Sequence, residues 1–343
     1  PERLRSVEPS DVPRPFLTCP QTEIEMDRNR LIASLFAPTA ALIALACSDS
    51  GYEPLVVEGA GGTTPGTGGA GATPTTGGDA ATGGDATTGG DAATGGTTSN
   101  PDSELGTATQ TGSGKTMAQY QTASDLLRDG VPYALITNGW GPGFESHTIS
   151  WLGTSFTVEA FTGTAGSNGE PAGYPTVYCG RYSNGPVPDC GLPAPIASTG
   201  SVRTGWRWAP NGNAGAYNAA YDIWMGDGSR LQSYLMVWLR DPPRFQPAGS
   251  RNSAHQDVTV ANTPGVWDLF TGTVNGLPIV NYVQPEGSDL LEIEFDVLDF
   301  VADAQTRGLT LPGTHVNAVA VGFEIWEGPI NGLETLDFYV DVS

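Results

Sequence analysis

The chain has 343 residues and a formal net charge of −22, because 37 Asp and Glu residues outnumber 15 Lys and Arg residues. This acidic balance argues against nucleic acid and anionic membrane surfaces as partners. The length could hold two domains, but a long stretch with almost no apolar residues other than alanine indicates a single folded one.

The N-terminal region has the pattern of an export signal. We interpret residues 1–25 as an upstream segment that precedes a start at Met26, and residues 26–46 as a signal peptide with a charged start and a short apolar run. The run ends in Ala-Leu-Ala before Cys47, which resembles a bacterial lipobox with a lipidated cysteine. We therefore expect an exported protein, lipid-anchored at the cell surface or in the periplasm. A cleaved secretory signal with an incidental cysteine is the alternative.

Residues 47–116 are predicted to form a disordered tether. Gly, Thr, Ala and Asp dominate its sequence and recur in a six-residue rhythm over residues 77–94. Such a composition buries too little apolar surface to offset the entropy lost on ordering. The stretch ends in GSGKT (residues 112–116), like a phosphate-binding loop, but Thr109 replaces that motif's first glycine and no buried strand precedes it. We assign it to the tether and expect the folded domain at residues 117–343.

Two cysteines, Cys179 and Cys190, flank a turn-rich stretch inside the folded part. Export would place them in an oxidising compartment, which favours a disulfide that closes this loop. The chain also has three histidines: His147, His255 and His315. Their spacing is not that of metal ligands, so we interpret them as surface or loop residues and predict no metal and no other cofactor.

The folded part is predicted to be all-β. Runs of alternating polarity are separated by Gly, Pro, Asn or Asp, as in a β-sandwich. The clearest runs cover residues 133–137, 148–161, 201–208, 219–224, 233–239, 279–283, 291–295 and 316–326. One helix is predicted over residues 296–307, with Gly308 as its stop.

Two of these runs carry unusual side chains on one face. Alternation in residues 233–239 directs Leu235, Val237 and Leu239 inward. The opposite face then carries Tyr234, Met236 and Trp238. In residues 316–326, alternation places Glu324 on a face of Ala, Gly and Trp, where a carboxylate suits an open cleft better than a packed core.

Four ordered motifs resemble glycoside hydrolase family 12, the small endo-β-1,4-glucanases and xyloglucanases. They are YNAAYDIWM (217–225), QSYLMVWL (232–239), QPAGS (246–250) and VGFEIWEG (321–328). The resemblance implies a β-jelly roll of two antiparallel sheets with a concave groove, and a retaining double displacement between two glutamates. We therefore expect a monomer that acts on β-1,4-linked glucan polysaccharide.

The resemblance also implies roles for particular residues. The acid/base glutamate of the family falls on Glu324. The nucleophilic glutamate of the family's E-x-M-x-W stretch falls on Tyr234, while Met236 and Trp238 match the Met and Trp of that stretch. Asp222 matches the aspartate that bonds the nucleophile and tunes its protonation. The chain thus departs from the family at the attacking group.

Further residues are expected to bind substrate. Asn138 and Trp140 lie in NGWG (138–141), which resembles the N-x-W-G stretch that supplies a sugar platform and an adjacent amide. Trp326 belongs to the G-x-E-x-W-x-G stretch and joins Met236 and Trp238 as a groove residue. For Trp140 the alternative is a packing role at the end of the sandwich, since large aromatics commonly serve packing.

The tyrosine at position 234 leaves three hypotheses. Asp222 could promote ionisation of Tyr234, giving a phenolate nucleophile as in sialidases. Asp222 itself, or another carboxylate near the short loop after Met225, could act as base or nucleophile. The protein could also bind β-glucan without cutting it, because an ordinary phenol is neutral at neutral pH. A jelly-roll adhesion domain for protein partners is a further alternative, but it does not explain Glu324 beside many aromatics.

Overall fold

The structure, a computed structural model, describes residues 103–213 and 215–343. The predictions for the upstream segment, the signal peptide, Cys47 and the tether up to residue 102 lie outside the described residues. Within the described part, none of the helices has the length and apolar character needed to cross a membrane. The expected all-β fold with two main sheets and one short helix is confirmed.

The described residues form strands of two to ten residues and a short helix, numbered in chain order. The strands are β1 (Gln110–Thr111), β2 (Ser113–Thr116), β3 (Thr122–Arg128), β4 (Val131–Ile136), β5 (Phe144–Leu152), β6 (Ser155–Gly163), β7 (Thr176–Gly180), β8 (Ala194–Pro195), β9 (Val202–Ala209), β10 (Ala216–Tyr217), β11 (Ala219–Gly226), β12 (Leu231–Arg240), β13 (Ser250–Arg251), β14 (Asp268–Val274), β15 (Leu277–Val283), β16 (Glu292–Asp296), β17 (His315–Gly322), β18 (Ile325–Glu327) and β19 (Leu333–Val342). The helix α1 spans Val297–Thr306.

The strands form two large sheets and one small one. Sheet A has the order β1-β3-β4-β7-β17-β11-β12-β15-β14-β13, with β8 beside β17. Sheet B has the order β16-β9-β19-β6-β5-β2, and β10 pairs with β18. Neighbouring strands are antiparallel apart from β12 and β15, which run parallel.

Strand β12 shows that sheet A has two apolar faces. One set of its side chains packs in the large core: Leu235, Val237 and Leu239. The alternate set packs in a second cluster: Tyr234, Met236 and Trp238. The predicted alternation is confirmed, and it places these three residues on the outer face of sheet A, which is the face that carries the second cluster.

Helix α1 lies where the sequence predicts it. The Asp296 side chain caps it by accepting a hydrogen bond of 2.9 Å from the Leu298 backbone N–H. Gly308 follows with φ 70°, a left-handed conformation that glycine adopts without strain. The helix buries one side in the large core: Val297, Phe300, Val301 and Ala304.

Two predicted strands are each interrupted. The run 148–161 is divided between β5 and β6, because the chain reverses at Gly153 with φ 57°. The run 316–326 is divided between β17 and β18, since the backbone of Glu324 bonds to Asn218 rather than to a ladder partner.

The surface prediction for His147 is wrong. This side chain lies in β5 with 1% exposure and packs against Phe144 and Phe161. Its Nε2 donates a hydrogen bond of 2.8 Å to the Ala118 carbonyl. Burial lowers the pKa of His147, so the ring is held neutral inside the fold.

The predicted end of the tether at Thr116 is also wrong. Residues 103–116 belong to the folded domain, because β1 pairs with β3 in sheet A and β2 pairs with β5 in sheet B. Gly114 is needed here for close packing, since a Cβ atom at this position would lie 2.3 Å from the Trp151 ring. Small residues in this stretch therefore allow neighbouring strands to pack closely. Most of GSGKT forms β2, an edge strand of sheet B.

A buried ion pair ties this N-terminal segment to both sheets. Arg128 on β3 donates to Asp337 on β19 at 3.0 and 3.2 Å, and these side chains are 7% and 2% exposed. Asp337 also accepts hydrogen bonds from the Gly106 backbone and the Gln110 side chain. Since a buried carboxylate needs paired charge and donors, the N-terminal segment helps to satisfy it.

We predict that Arg128→Met lowers the free energy of unfolding by about 3–5 kcal/mol, because it leaves Asp337 as a buried carboxylate without its cation. Lys115→Met is the matched control. It removes the more exposed pair with Glu159 and should lower the free energy of unfolding far less, because solvent screens an exposed pair. Urea unfolding of both variants and the wild type measures the difference, and equal losses would contradict the buried role of the Arg128 pair.

Candidate active site

A cleft lies on the outer face of sheet A, where β11, β12 and β17 are neighbours. Its walls combine aromatic and aliphatic side chains with two carboxyl groups. The lining residues are Trp140, Gly169, Pro171, Tyr174, Asp222, Tyr234, Met236, Trp238, Gln246, Pro247, Ala248, Val274, Ile279, Glu324 and Trp326. The structure thus brings together seven of the predicted site residues.

Glu324 is held by Asn218, which lies between β10 and β11. The Asn218 carboxamide donates to Glu324 Oε2 and accepts from the Glu324 backbone N–H at 2.8 Å. The Asn218 backbone N–H donates to the Glu324 carbonyl at 3.0 Å. Burial raises the pKa of Glu324 to about 8, the Asn218 bond opposes the increase, and the charge of Asp222 adds to it. The protonated form of Glu324 is therefore favoured at neutral pH.

Asp222 lies on β11 and is 4% exposed. Its Oδ2 accepts hydrogen bonds from the Tyr182 hydroxyl at 2.9 Å and from Trp224 Nε1 at 3.0 Å. Burial raises the pKa of Asp222 to about 6, although both donors favour the charged form. Asp222 is therefore mostly ionised at neutral pH, unlike Glu324.

Tyr234 lies on β12, next to Trp224 across the strand pair. The side chain is 5% exposed and meets the Trp224 ring edge-on, with ring centroids 6.1 Å apart. Burial raises the pKa of Tyr234, the charge of Asp222 raises it further, and a hydrogen bond with Asn275 opposes the increase. The hydroxyl at this position is held in its neutral form.

The predicted groove aromatics differ in exposure. Trp140 is half-buried, whereas Trp238 and Trp326 are 1% and 2% exposed. Phe245 stacks on Trp326 at 5.3 Å and 16°, and Trp326 Nε1 donates to the Gly169 carbonyl at 2.8 Å. Trp238 and Trp326 therefore form the floor of the cleft, and Trp140 is the tryptophan with a face available at its wall.

Asn138 is not among the residues that line the cleft. It is 5% exposed and adopts φ 43°, and its carbonyl accepts from the Tyr174 backbone N–H at 2.9 Å. Left-handed backbone is tolerated by Asn more readily than by most residues. In this structure Asn138 shapes the loop that presents Trp140.

The predicted disulfide between Cys179 and Cys190 is present. It closes the loop that carries Tyr182, a partner of Asp222 that sequence reasoning missed. Asn218 was missed as well, although it lies within the motif that contains Asp222. In both cases the chemical role depends on contacts between distant strands, which a motif by itself does not show.

The arrangement combines a neutral carboxylic acid, an ionised carboxylate and a neutral phenol in one cleft. The acid can donate a proton to a leaving oxygen, and the carboxylate can accept one. Flat aromatic and aliphatic walls can pack against the C–H faces of a sugar ring. No group of three or more His, Cys, Asp or Glu residues that could hold a metal ion occurs within residues 103–213 and 215–343.

Two stacked β-sheets with such a cleft define a jelly-roll protein of the carbohydrate-active type. The sequence of residues 132–343 matches Glycosyl hydrolase family 12, and the chain belongs to this family.

Two relatives in sequence carry names that describe activities. Endoglucanase S of Pectobacterium parmentieri is 25% identical over 183 residues, covering 50% of this chain and 66% of that protein. Xyloglucan-specific endo-β-1,4-glucanase A of Aspergillus niger is 22% identical over 152 residues, covering 43% of this chain and 61% of that protein. The chain thus spans less than two thirds of either relative.

Solved structures match about two thirds of the chain. Endoglucanase cel12A from Rhodothermus marinus has a TM-score of 0.55 and 29% identity, covering 67% of this chain and 99% of that one. The endo-1,4-β-glucanase CelB2 has a TM-score of 0.57 and 25% identity, with coverage of 67% and 99%. The jelly-roll prediction is confirmed by these similarities.

We predict that Tyr182→Phe raises the pKa of Asp222 by about 1, because the ionised carboxylate loses one of its two donors. Tyr178→Phe is the control, since the Tyr178 hydroxyl donates to the Pro186 carbonyl instead. Carbon-13 NMR titration of labelled Asp side chains measures the change. An unchanged pKa in Tyr182→Phe would contradict the assigned hydrogen bond.

Proposed function

We propose that this protein binds β-1,4-glucan chains in the cleft and hydrolyses them, with Glu324 as the general acid. One observation carries the proposal: a carboxyl group held by Asn218, with a pKa raised by burial, lies in an aromatic-lined cleft of a family 12 fold. Related proteins named as endoglucanases and a xyloglucanase support the substrate class.

The raised pKa of Glu324 suits an acid in glycosidic bond cleavage. A leaving sugar oxygen needs a proton as the bond breaks, and a carboxylic acid supplies it only while it remains protonated. Asn218 holds the side chain in place through its carboxamide and backbone. These hydrogen bonds hold Glu324 just after the end of β17, beside the cleft walls.

Tyr234 disfavours the double displacement that the family resemblance implies. Burial and the nearby Asp222 charge both raise the pKa of Tyr234, so a phenolate is rare at neutral pH. A neutral phenol is a weak nucleophile, and promotion of its ionisation by Asp222 is opposed by electrostatic repulsion. We therefore do not assign an attacking role to Tyr234.

The neutral state of Tyr234 also favours a second candidate function, which is β-glucan binding without cleavage. In that case the cleft walls would hold the polysaccharide, and Glu324 would serve as a hydrogen-bond donor to a sugar oxygen. Binding accompanied by release of reducing ends distinguishes hydrolysis from this alternative.

We predict that Glu324→Gln lowers the release of reducing ends from soluble β-1,4-glucan by about 10²–10⁴-fold, the usual contribution of a general acid. Binding of cellohexaose, measured by calorimetry, should change only a few-fold, because Gln has the shape of the protonated acid.

Glu327→Gln is the matched control for this measurement. Glu327 pairs with Arg244 at the surface, so both turnover and binding should stay at the wild-type level. Undiminished hydrolysis by Glu324→Gln would show that another group supplies the proton.

We further propose that the protein is exported and held at a membrane through lipidated Cys47, with the Gly-rich segment as its tether. The signal pattern of residues 26–46 and the composition of residues 58–102 support this arrangement. A surface-held enzyme would act on polymer outside the cell, in agreement with the proposed substrate.

We predict that Cys47→Ser moves the full-length protein from the membrane fraction to the soluble fraction and abolishes incorporation of labelled palmitate. Cell fractionation with metabolic labelling measures both. Continued membrane association and labelling of Cys47→Ser would contradict the anchor.

A further inference from the structure

One oxygen of the Asp222 carboxylate has no hydrogen-bond partner among the described residues. Oδ2 accepts both hydrogen bonds, from Tyr182 and Trp224, whereas Oδ1 is buried and accepts none from the described residues. Asp222 lines the cleft and is 4% exposed. Because an unpaired buried carboxylate oxygen is costly, a water molecule or hydroxyl group in the cleft is its natural donor.

The two donors fix the orientation of this carboxylate. Trp224 follows two residues later on the same strand, and the Tyr182 ring packs on Trp224 with centroids 4.5 Å apart. Rotation of the carboxylate would break two hydrogen bonds at once. Oδ1 therefore remains the carboxylate oxygen that the described residues leave unsatisfied beside the cleft.

The cleft offers no other carboxylate among its lining residues. Glu324 and Asp222 are the two acidic side chains that line it within the described part of the chain. Burial and the charge of Asp222 raise the pKa of Tyr234, so its hydroxyl stays neutral. The groups present are thus one proton donor and one proton acceptor, without a carboxylate at the attacking position.

We propose that Asp222 acts as the general base of a single-displacement hydrolysis with inversion of the anomeric centre. This inference rests on the proposed function. A water oxygen bonds to the anomeric carbon while Asp222 Oδ1 takes the water proton. The bond from that carbon to the leaving oxygen breaks, its electron pair stays on the oxygen, and Glu324 supplies the proton. Solvent exchange then restores both carboxyl groups.

Inversion predicts a product that retention cannot give. A β-linked glucan cut by single displacement releases the α-anomer, whereas double displacement releases the β-anomer. Proton NMR of the anomeric region during the first minutes of cellohexaose hydrolysis by the full-length protein distinguishes them before mutarotation. We expect the α-anomer first.

The other outcomes separate this inference from the proposed function. The β-anomer first would overturn inversion and leave hydrolysis in place. Binding of cellohexaose without cleavage would overturn the inference and favour the binding function. Absence of binding would remove the proposed function itself.

Asp222 is tested directly by replacement and chemical rescue. Asp222→Ala should lose about 10²–10⁴-fold in turnover, and azide should restore cleavage by attacking the anomeric carbon directly, giving an α-glucosyl azide. The control is Asp227→Asn in the exposed turn after β11, where the carboxylate accepts from the Ser229 and Arg230 backbones; its turnover should be unchanged.

The near-isosteric Asp222→Asn keeps the test decisive if Asp222→Ala does not fold. Circular dichroism checks its fold, and its turnover should fall by a similar factor. A folded Asp222→Asn with wild-type turnover, or a folded Asp222→Ala that azide does not rescue, would overturn the role of Asp222 as base.

Discussion

Sheet A buries both of its faces at its centre, and the chemistry of the cleft depends on this constraint. On β11, Tyr221 and Ile223 pack between the sheets, while Ala220 packs on the opposite face. A carboxyl group on this second face loses most of its hydration, so its charge must be satisfied by protein donors or be neutralised by a proton. Asp222 and Glu324 illustrate these two solutions.

Hydrogen-bond donors and the neighbouring charge distinguish the two carboxyl groups. Asp222 accepts from Tyr182 and Trp224, and these bonds offset part of the cost of burial. The Glu324 carboxyl accepts from Asn218 and also experiences the Asp222 charge. The residue that the family pattern marks as acid/base thereby stays protonated, while its neighbour ionises first.

Much of the fold was predictable because it depends on local periodicity. The alternation in β12 and the helix at residues 297–306 follow directly from the order of apolar residues. The C-terminal strand β19, central in sheet B, was absent from the clear predictions because buried Asp337 and a register shift after Thr335 disrupt its alternation. Asp337 is buried only because Arg128, far away in sequence, reaches it.

The candidate site was predictable in part for the same reason. The motifs identified Asp222, Tyr234 and Glu324, which line one cleft. They did not show the neighbouring residues that set the protonation of these side chains. Asn218 was inside a recognised motif and still unassigned, since its partner Glu324 lies 106 residues further along the chain. Tyr182 depended on a loop whose position the disulfide helps to fix.

A tyrosine at position 234 is compatible with this fold for a physical reason. Its neighbours on the outer face are already aromatic and aliphatic, so a neutral ring packs against Trp224. A second ionised carboxylate beside Asp222 would instead add repulsion to the cost of burial. The strand pair β11–β12 therefore accommodates a tyrosine at position 234, and Asp222 and Glu324 are the carboxyl groups that line the cleft within the described residues.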